Sequence, residues 1–172
     1  MKIEKAQMIK ILIVDVDGVL TDGSIIYGNF HDEYRAFNVH DGFGFVLLHK
    51  AGLKSAIISG KSSRALQRRA KILKINVLFK NVDNKLKAFR KILKKFKLRP
   101  EEACYVGDDL MDLAVLKTAG LSVTVPGACA DVKNAVDYVT KRRGGRGAVR
   151  EIIEFILKSQ GKWEKLIEHY SK

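Results

Sequence analysis

The chain has 172 residues, enough for one domain with a substantial core and too few for two of ordinary size. Hydrophobic residues make up 47% and charged residues 30%, a balance that excludes a disordered chain, and no apolar run approaches the ~20 residues needed to span a bilayer. The formal net charge of +13 leaves an anionic partner open and requires a reading of where the lysines and arginines fall.

The N-terminal stretch MKIEKAQMIKILIVDVD starts basic, but its short apolar run ends in two aspartates and does not read as a signal peptide. Residues 10–16 predict a strand that delivers Asp15 and Asp17 at its end, with Asp22-Gly23 as a turn beyond it. Residues 24–39 then break the pattern and read as a two-stranded ribbon around a turn at Gly28-Asn29. A ribbon of that size is marginal alone and is expected to lean on the body or on another subunit.

From there helices and strands alternate. Helical periodicity over 42–51 leads to a strand at 54–58 that ends in Ser59-Gly60, and a helix over 62–73 leads to a strand at 76–79. Lys85 opens a helix over 85–97, in which Leu86, Phe89, Ile92, Leu93 and Phe96 recur at helical spacing and the lysines occupy the other faces. Much of the excess positive charge is therefore a solvated helix face rather than a nucleic-acid surface. A strand at 103–106 ends in Gly107-Asp108-Asp109, with Asp112 one turn on, and it is followed by a helix over 109–118. Strands at 121–125 and 137–140 and helices at 129–135, 146–158 and 162–170 complete the chain. This alternation predicts a three-layer α/β fold, a Rossmann-like parallel sheet covered on both faces, as a single domain spanning 1–172. The ribbon 24–39 is its insertion and 144–172 its C-terminal helical segment. Cys104 lies in a buried strand, and with Cys129 it shows no CxxC or His spacing, so neither a disulfide framework nor a zinc site is expected. A cytoplasmic location is the expectation.

In open parallel sheets ligands bind outside the carboxyl ends of the strands, where Asp15, Asp17, Ser59, Gly60, Lys85, Asp108 and Asp112 converge. Two carboxylates ~5 Å apart repel by roughly 3 kcal/mol at an effective dielectric of 20, a large share of a domain's stability of about 5–15 kcal/mol. Oxygen donors of this kind suit Mg²⁺, which takes few protein ligands and fills its sphere with water and phosphate oxygens. Ser59, the open backbone at Gly60 and the Lys85 ammonium suit a phosphate.

Taken together and in this order, DVDGVLTDG, IISGK, Lys85 and YVGDDLMD resemble the four motifs of the haloacid dehalogenase superfamily of phosphatases. The resemblance implies Asp15 as a nucleophile that forms an aspartyl-phosphate, Asp17 as general acid and base, and Ser59 and Lys85 as phosphoryl holders. It also implies Mg²⁺ bound by Asp15, the Asp17 carbonyl and Asp108, with Asp112 acting through water. FNVHDGFG, AGLSVTVPGA and VDYVTKRRGGRGAVRE extend the likeness over nearly the whole chain, to the branch of that superfamily acting on 3-deoxy-D-manno-octulosonate 8-phosphate in lipopolysaccharide synthesis. That branch implies no large cap domain, a homotetramer built through the ribbons, and a neighbour's C-terminal segment over the site. It further implies that Asn38, Val39, His40, Asp41, Gly42, Gly60, Lys61 and Arg69, with Asp17, Ser59 and Lys85, face a small sugar phosphate. Arginines are expected where Val46 and Lys61 stand, which bears on sugar-acid contacts. GGRG (144–147) reads either as a flexible turn or as the support of Arg146 and Arg150 reaching a neighbour's substrate. Trp163 and Tyr170 read as a helix packed on the body or an adjoining subunit.

The alternatives are a phosphatase of a nine-carbon sugar acid, a phospho-accepting receiver domain and a nucleic-acid-binding module. A receiver places its acidic pair and its acceptor on different strands, whereas here both carboxylates share one DxD. No nucleic-acid-reading motif accompanies the charge, and no membrane partner is expected.

Overall fold

The structure, a computed structural model, describes residues 2–30 and 32–172. In chain order the elements are α1 (Lys2–Met8), β1 (Ile11–Val14), β2 (Ile26–Tyr27), β3 (Glu33–Tyr34), α2 (Val39–Lys50), β4 (Lys54–Ile58), α3 (Arg64–Ile72), β5 (Val77–Phe79) and α4 (Lys85–Phe96). They continue as β6 (Ala103–Val106), α5 (Leu113–Leu116), β7 (Leu121–Thr124), α6 (Ala130–Asn134), β8 (Tyr138–Val139), α7 (Ala148–Ser159) and α8 (Trp163–Tyr170). Six strands form one parallel sheet in the order β5-β4-β1-β6-β7-β8, with β2 and β3 as a separate antiparallel pair.

Alternate residues of the buried strands feed two cores. Leu12 and Val14 of β1 join Phe45, Leu48, Ile152 and Ile156 on the face covered by α1, α2, α3, α7 and α8. Ile11 and Ile13 join Phe89, Ile92, Tyr105 and Val115 under α4, α5 and α6. The face of α4 that carries Phe89, Ile92 and Leu93 is the buried one, as its spacing predicts. Such two-sided burial is what near-continuous apolar strands require.

Three expectations need correction. The N-terminal stretch carries a helix, α1, that periodicity does not reveal; seven residues bury one alanine, and the Gln160 amide of the far terminus clasps the carbonyls of Ala6 and Ile9. The helix expected over 109–118 is a 3₁₀ turn at Leu110–Asp112 followed by the short α5. It is interrupted because the Asp112 carboxylate takes the backbone N–H groups of Asp108 and Asp109. The ribbon turn is wider than a Gly28-Asn29 hairpin, since the Gly28 N–H donates to the Asp32 carbonyl.

The ribbon ladder has two residue pairs, Ile26 with Tyr34 and Tyr27 with Glu33. Ile26, Tyr27, Phe30 and Tyr34 remain 60%, 72%, 86% and 56% exposed. Four large apolar side chains on so small an element form a surface that wants covering. Trp163 and Leu166 anchor α8 on the body, and Tyr170 meets Phe43 edge to face at 5.4 Å.

Candidate active site

The strand order reverses between β1 and β6, and this switch point opens the crevice in which ligands of such sheets bind. Val14 of β1 stands level with Ile57 of β4 and Val106 of β6, so the three strands deliver Asp15, Ser59 and Asp108 to one edge. The Asp15 N–H still donates to the Val106 carbonyl at 2.9 Å, which extends the ladder to the carboxylate itself. Beyond it the chain coils around the Val16 carbonyl, which accepts from the N–H groups of Val19, Leu20 and Thr21.

Gly18 makes this coil possible. Its φ is +85°, and a Cβ there would fall 1.9 Å from Asp108 Oδ2, so a side chain would be strained and would also displace that carboxylate. The 144–147 segment is no flexible turn: the Gly145 N–H donates to the Val19 carbonyl at 3.0 Å, and Gly144 lies against Gly18 backbone to backbone. Arg146 reaches Asp22 at 3.8 Å on the exposed side. Arg150 is engaged within its own chain, paired with Glu154 and stacked over Phe43 and Trp163.

Lys85 bridges two of the carboxylates. Its Nζ lies 2.8 Å from Asp15 Oδ2 and 2.7 Å from Asp112 Oδ1, and all three side chains are nearly or wholly buried. Asp112 accepts from four donors: Lys85, the Tyr105 hydroxyl at 2.5 Å, and the N–H groups of Asp108 and Asp109. Both its oxygens accept hydrogen bonds, and it anchors the floor of the site. One oxygen each of Asp15, Asp108 and Asp112 lie within 4.8 Å of one another.

The charges do not balance. Three carboxylates against one ammonium leave two negative charges uncompensated. Burial, and then the charge of Asp112, push Asp15 up to about 6 despite Lys85. Burial, followed by Asp15 and Asp112, pushes Asp108 up to about 7. Burial pulls the Lys85 ammonium down, but Asp15 and Asp112 outweigh it and hold the group above its usual value. A hard divalent cation would supply the missing charge, and the all-oxygen donor set matches Mg²⁺.

Protons and such a cation would therefore compete for Asp15 and Asp108. In the metal-free protein the folded chain holds protons that the unfolded chain, with carboxyls near 4, has released, so the stability these two groups contribute falls as pH rises from about 4 to about 7. Added Mg²⁺ should reverse that loss. We expect the Mg²⁺-induced rise in thermal midpoint to be full near pH 8 and mostly gone at pH 5.5. Equal shifts at both pH values would contradict the competition.

Ser59 is buried, and its Oγ accepts from the Lys61 N–H at 3.2 Å, with Gly60 exposed between them. Asp17 is partly exposed and is held by Arg35 Nε at 2.8 Å. The 38–42 segment is more mixed. Asn38 caps α2, its Oδ1 accepting from the N–H groups of His40 and Asp41, while Val39 and His40 are exposed. The Asp41 carboxylate turns inward and accepts from the N–H groups of Gly147 and Arg150. It closes the start of α7, where Gly147 offers no side chain of its own. Gly42 lies beneath Arg69, whose guanidinium donates to the Asn38 carbonyl at 2.8 Å and covers Phe37. Among the described residues no hydrogen bond or ion pair joins 38–42 to the carboxylate cluster.

Sequence reasoning missed two site residues. Tyr105 is a polar-tipped residue in an otherwise apolar strand, two positions before Gly107, and that was a usable signal. Arg35 gave none, because its partner lies 18 positions away across an irregular segment.

A parallel sheet carrying a DxD after its first strand, a serine after a second, a lysine at a helix start and an acidic turn after a third defines a haloacid dehalogenase-like hydrolase, and that family's model matches residues 45–120. The 3-deoxy-D-manno-octulosonate 8-phosphate phosphatase KdsC of Escherichia coli (strain K12) is 44% identical over 163 residues, 95% of this chain and 87% of that protein. The chain belongs to the 3-deoxy-D-manno-octulosonate 8-phosphate phosphatase family of these hydrolases. The Moraxella catarrhalis phosphatase, solved with magnesium, phosphate and KDO, superposes with a TM-score of 0.96 at 41% identity, covering 98% of this chain and 97% of that one. The cobalt-bound phosphatase of Haemophilus influenzae gives 0.89 at 40% identity over 92% of each chain.

Proposed function

We propose that this chain is a Mg²⁺-dependent phosphomonoesterase that hydrolyses 3-deoxy-D-manno-octulosonate 8-phosphate to 3-deoxy-D-manno-octulosonate and phosphate in lipopolysaccharide synthesis. The observation that carries the reading is the meeting of Asp15, Asp108, Asp112 and Lys85 at the switch point of the sheet.

We assign the roles as follows. An Asp15 carboxylate oxygen attacks phosphorus; the new O–P bond forms as the ester P–O bond breaks, and Asp17 gives its proton to the departing sugar oxygen. Asp17, now ionised, takes a proton from water, and the resulting oxygen attacks the aspartyl-phosphate, releasing phosphate and restoring Asp15. The Ser59 hydroxyl and the Lys85 ammonium hold the phosphoryl oxygens. Asp15, the Asp17 carbonyl and Asp108 would hold Mg²⁺, with Asp112 acting through water, and the ion would supply the positive charge that lets a phosphate dianion approach carboxylates. Asn38, Val39, His40, Gly60 and Lys61 face the sugar. Asp41, Gly42 and Arg69 support that wall from behind, as their internal contacts suggest.

The exposed Ile26, Tyr27, Phe30 and Tyr34 support assembly of the ribbons into a homotetramer. The two unpaired cysteines fit a reducing compartment, and we place the enzyme in the cytoplasm.

The test is phosphate release from a panel of sugar phosphates. The eight-carbon sugar acid phosphate should give the highest kcat/KM, and a chelator should lower the rate by about 10³-fold or more, reversed by Mg²⁺. Preference for a nine-carbon sugar acid phosphate would move the substrate assignment, and Val46 and Lys61 would be the first residues to examine.

A further inference from the structure

We propose that Arg35 is a positioning residue: it sets the direction of the Asp17 carboxylate and so makes proton transfer to the leaving oxygen depend on the order of the β2–β3 ribbon. The inference rests on the reading of Asp17 as the general acid and base.

Arg35 follows β3, where Tyr34 is exposed and Glu33 half-buried, yet its own side chain is only 2% exposed. Its Nε donates to Asp17 Oδ1 at 2.8 Å, and its NH1 pairs with Glu33 of the ribbon. A guanidinium is a rigid planar fork, so two bonds from different nitrogens fix its plane, and the plane fixes the oxygen that Nε addresses. No other hydrogen bond or ion pair to the Asp17 side chain is present among the described residues. Lys85 and Asp112 are braced by each other, by Asp15 and by Tyr105 of β6, all carried by the main sheet and its helices. The Asp17 side chain takes its contact from outside that framework.

An exposed ion pair of this kind contributes little to stability. Here the guanidinium is almost fully enclosed, and the carboxylate it holds must meet a substrate oxygen. A misplacement of ~1 Å in such a group costs about 10²-fold in rate. A mere ribbon anchor would need only the Glu33 pair, which lies within the ribbon itself. The Asp17 pair instead crosses from ribbon to catalytic loop.

The test is a double-mutant cycle on the eight-carbon sugar acid phosphate. Arg35→Ala should lower kcat by about 10- to 100-fold with KM within about twofold, and Arg35→Lys should recover part of the loss. Asp17→Asn should lower kcat by about 10²- to 10⁴-fold. The double variant should be no slower than Asp17→Asn within about twofold, because Arg35 acts through Asp17. An Arg35→Ala loss that persists in full in the Asp17→Asn background, or that appears in KM, would overturn the proposal in favour of direct substrate contact. If Arg35→Ala loses the wild-type mass in solution, the cycle is run with Arg35→Lys, whose smaller loss should likewise vanish in the Asp17→Asn background. Asp17→Asn retaining more than about a tenth of wild-type kcat would remove the reading of Asp17 itself. Asp17→Asn inactive with Arg35→Ala fully active would remove only the role of Arg35.

Discussion

Asp15→Asn is expected to lower kcat by about 10⁴-fold or more while the sheet stays intact, since removing a nucleophile costs losses of this order. The amide has nearly the same shape as the carboxylate but lacks the charged oxygen to which we assign the attack on phosphorus. Backbone pairing holds the position without the side chain: Val14 is registered on Ile57 and Val106, and the N–H of residue 15 donates to the Val106 carbonyl. Lys85 keeps Asp112 as a partner at 2.7 Å. The substitution also removes a buried charge repelled by Asp112, so the metal-free thermal midpoint should be equal to or above that of the wild type. Phosphate release, circular dichroism and the thermal midpoint check these points separately. A variant that keeps more than about a hundredth of the rate would exclude covalent transfer to Asp15.

Gly144→Ala should be the most damaging single methyl in the chain. A Cβ at Gly144 would stand 1.7 Å from the Gly18 carbonyl oxygen and 2.6 Å from its carbon, and since both atoms are backbone no rotamer change relieves the clash. The two segments must separate, which moves Gly18 and, with it, the room that Asp108 occupies. We expect a loss of about 3 kcal/mol or more in unfolding free energy, together with a collapse of activity. Gly127→Ala is the control, because nothing lies within 4 Å of a Cβ there, and it should stay within about 0.5 kcal/mol of wild type. A Gly144→Ala protein as stable as that control would mean that the contact yields more easily than its distances imply.

Much of this fold was legible because the sheet strands are apolar runs bounded by polar edges. Each predicted strand meets an observed one within a residue or two at most ends, as at 54–58 and 103–106. Lys85 at a helix start was legible for a similar reason, since a periodic pattern follows it and Asn84 caps it. What was hidden depended on distant partners. The resemblance has Asp41 facing a substrate beside His40, whereas its carboxylate caps a helix more than a hundred positions on. GGRG has the composition of a loose turn, and only the approach of Gly18 to Gly144 and of Thr21 and Asp22 to Gly145 reveals why two glycines are needed there. α1 was invisible because a seven-residue helix that buries one alanine leaves no stripe to detect.

Lys85 and Tyr105 grip Asp112, and Lys85 grips Asp15, through contacts made by the chain's own side chains. The receptacle is thus built by the polypeptide beforehand, and loading the ion is docking rather than folding. Magnesium is then expected to leave and return without the chain refolding, its occupancy following the supply of the free ion.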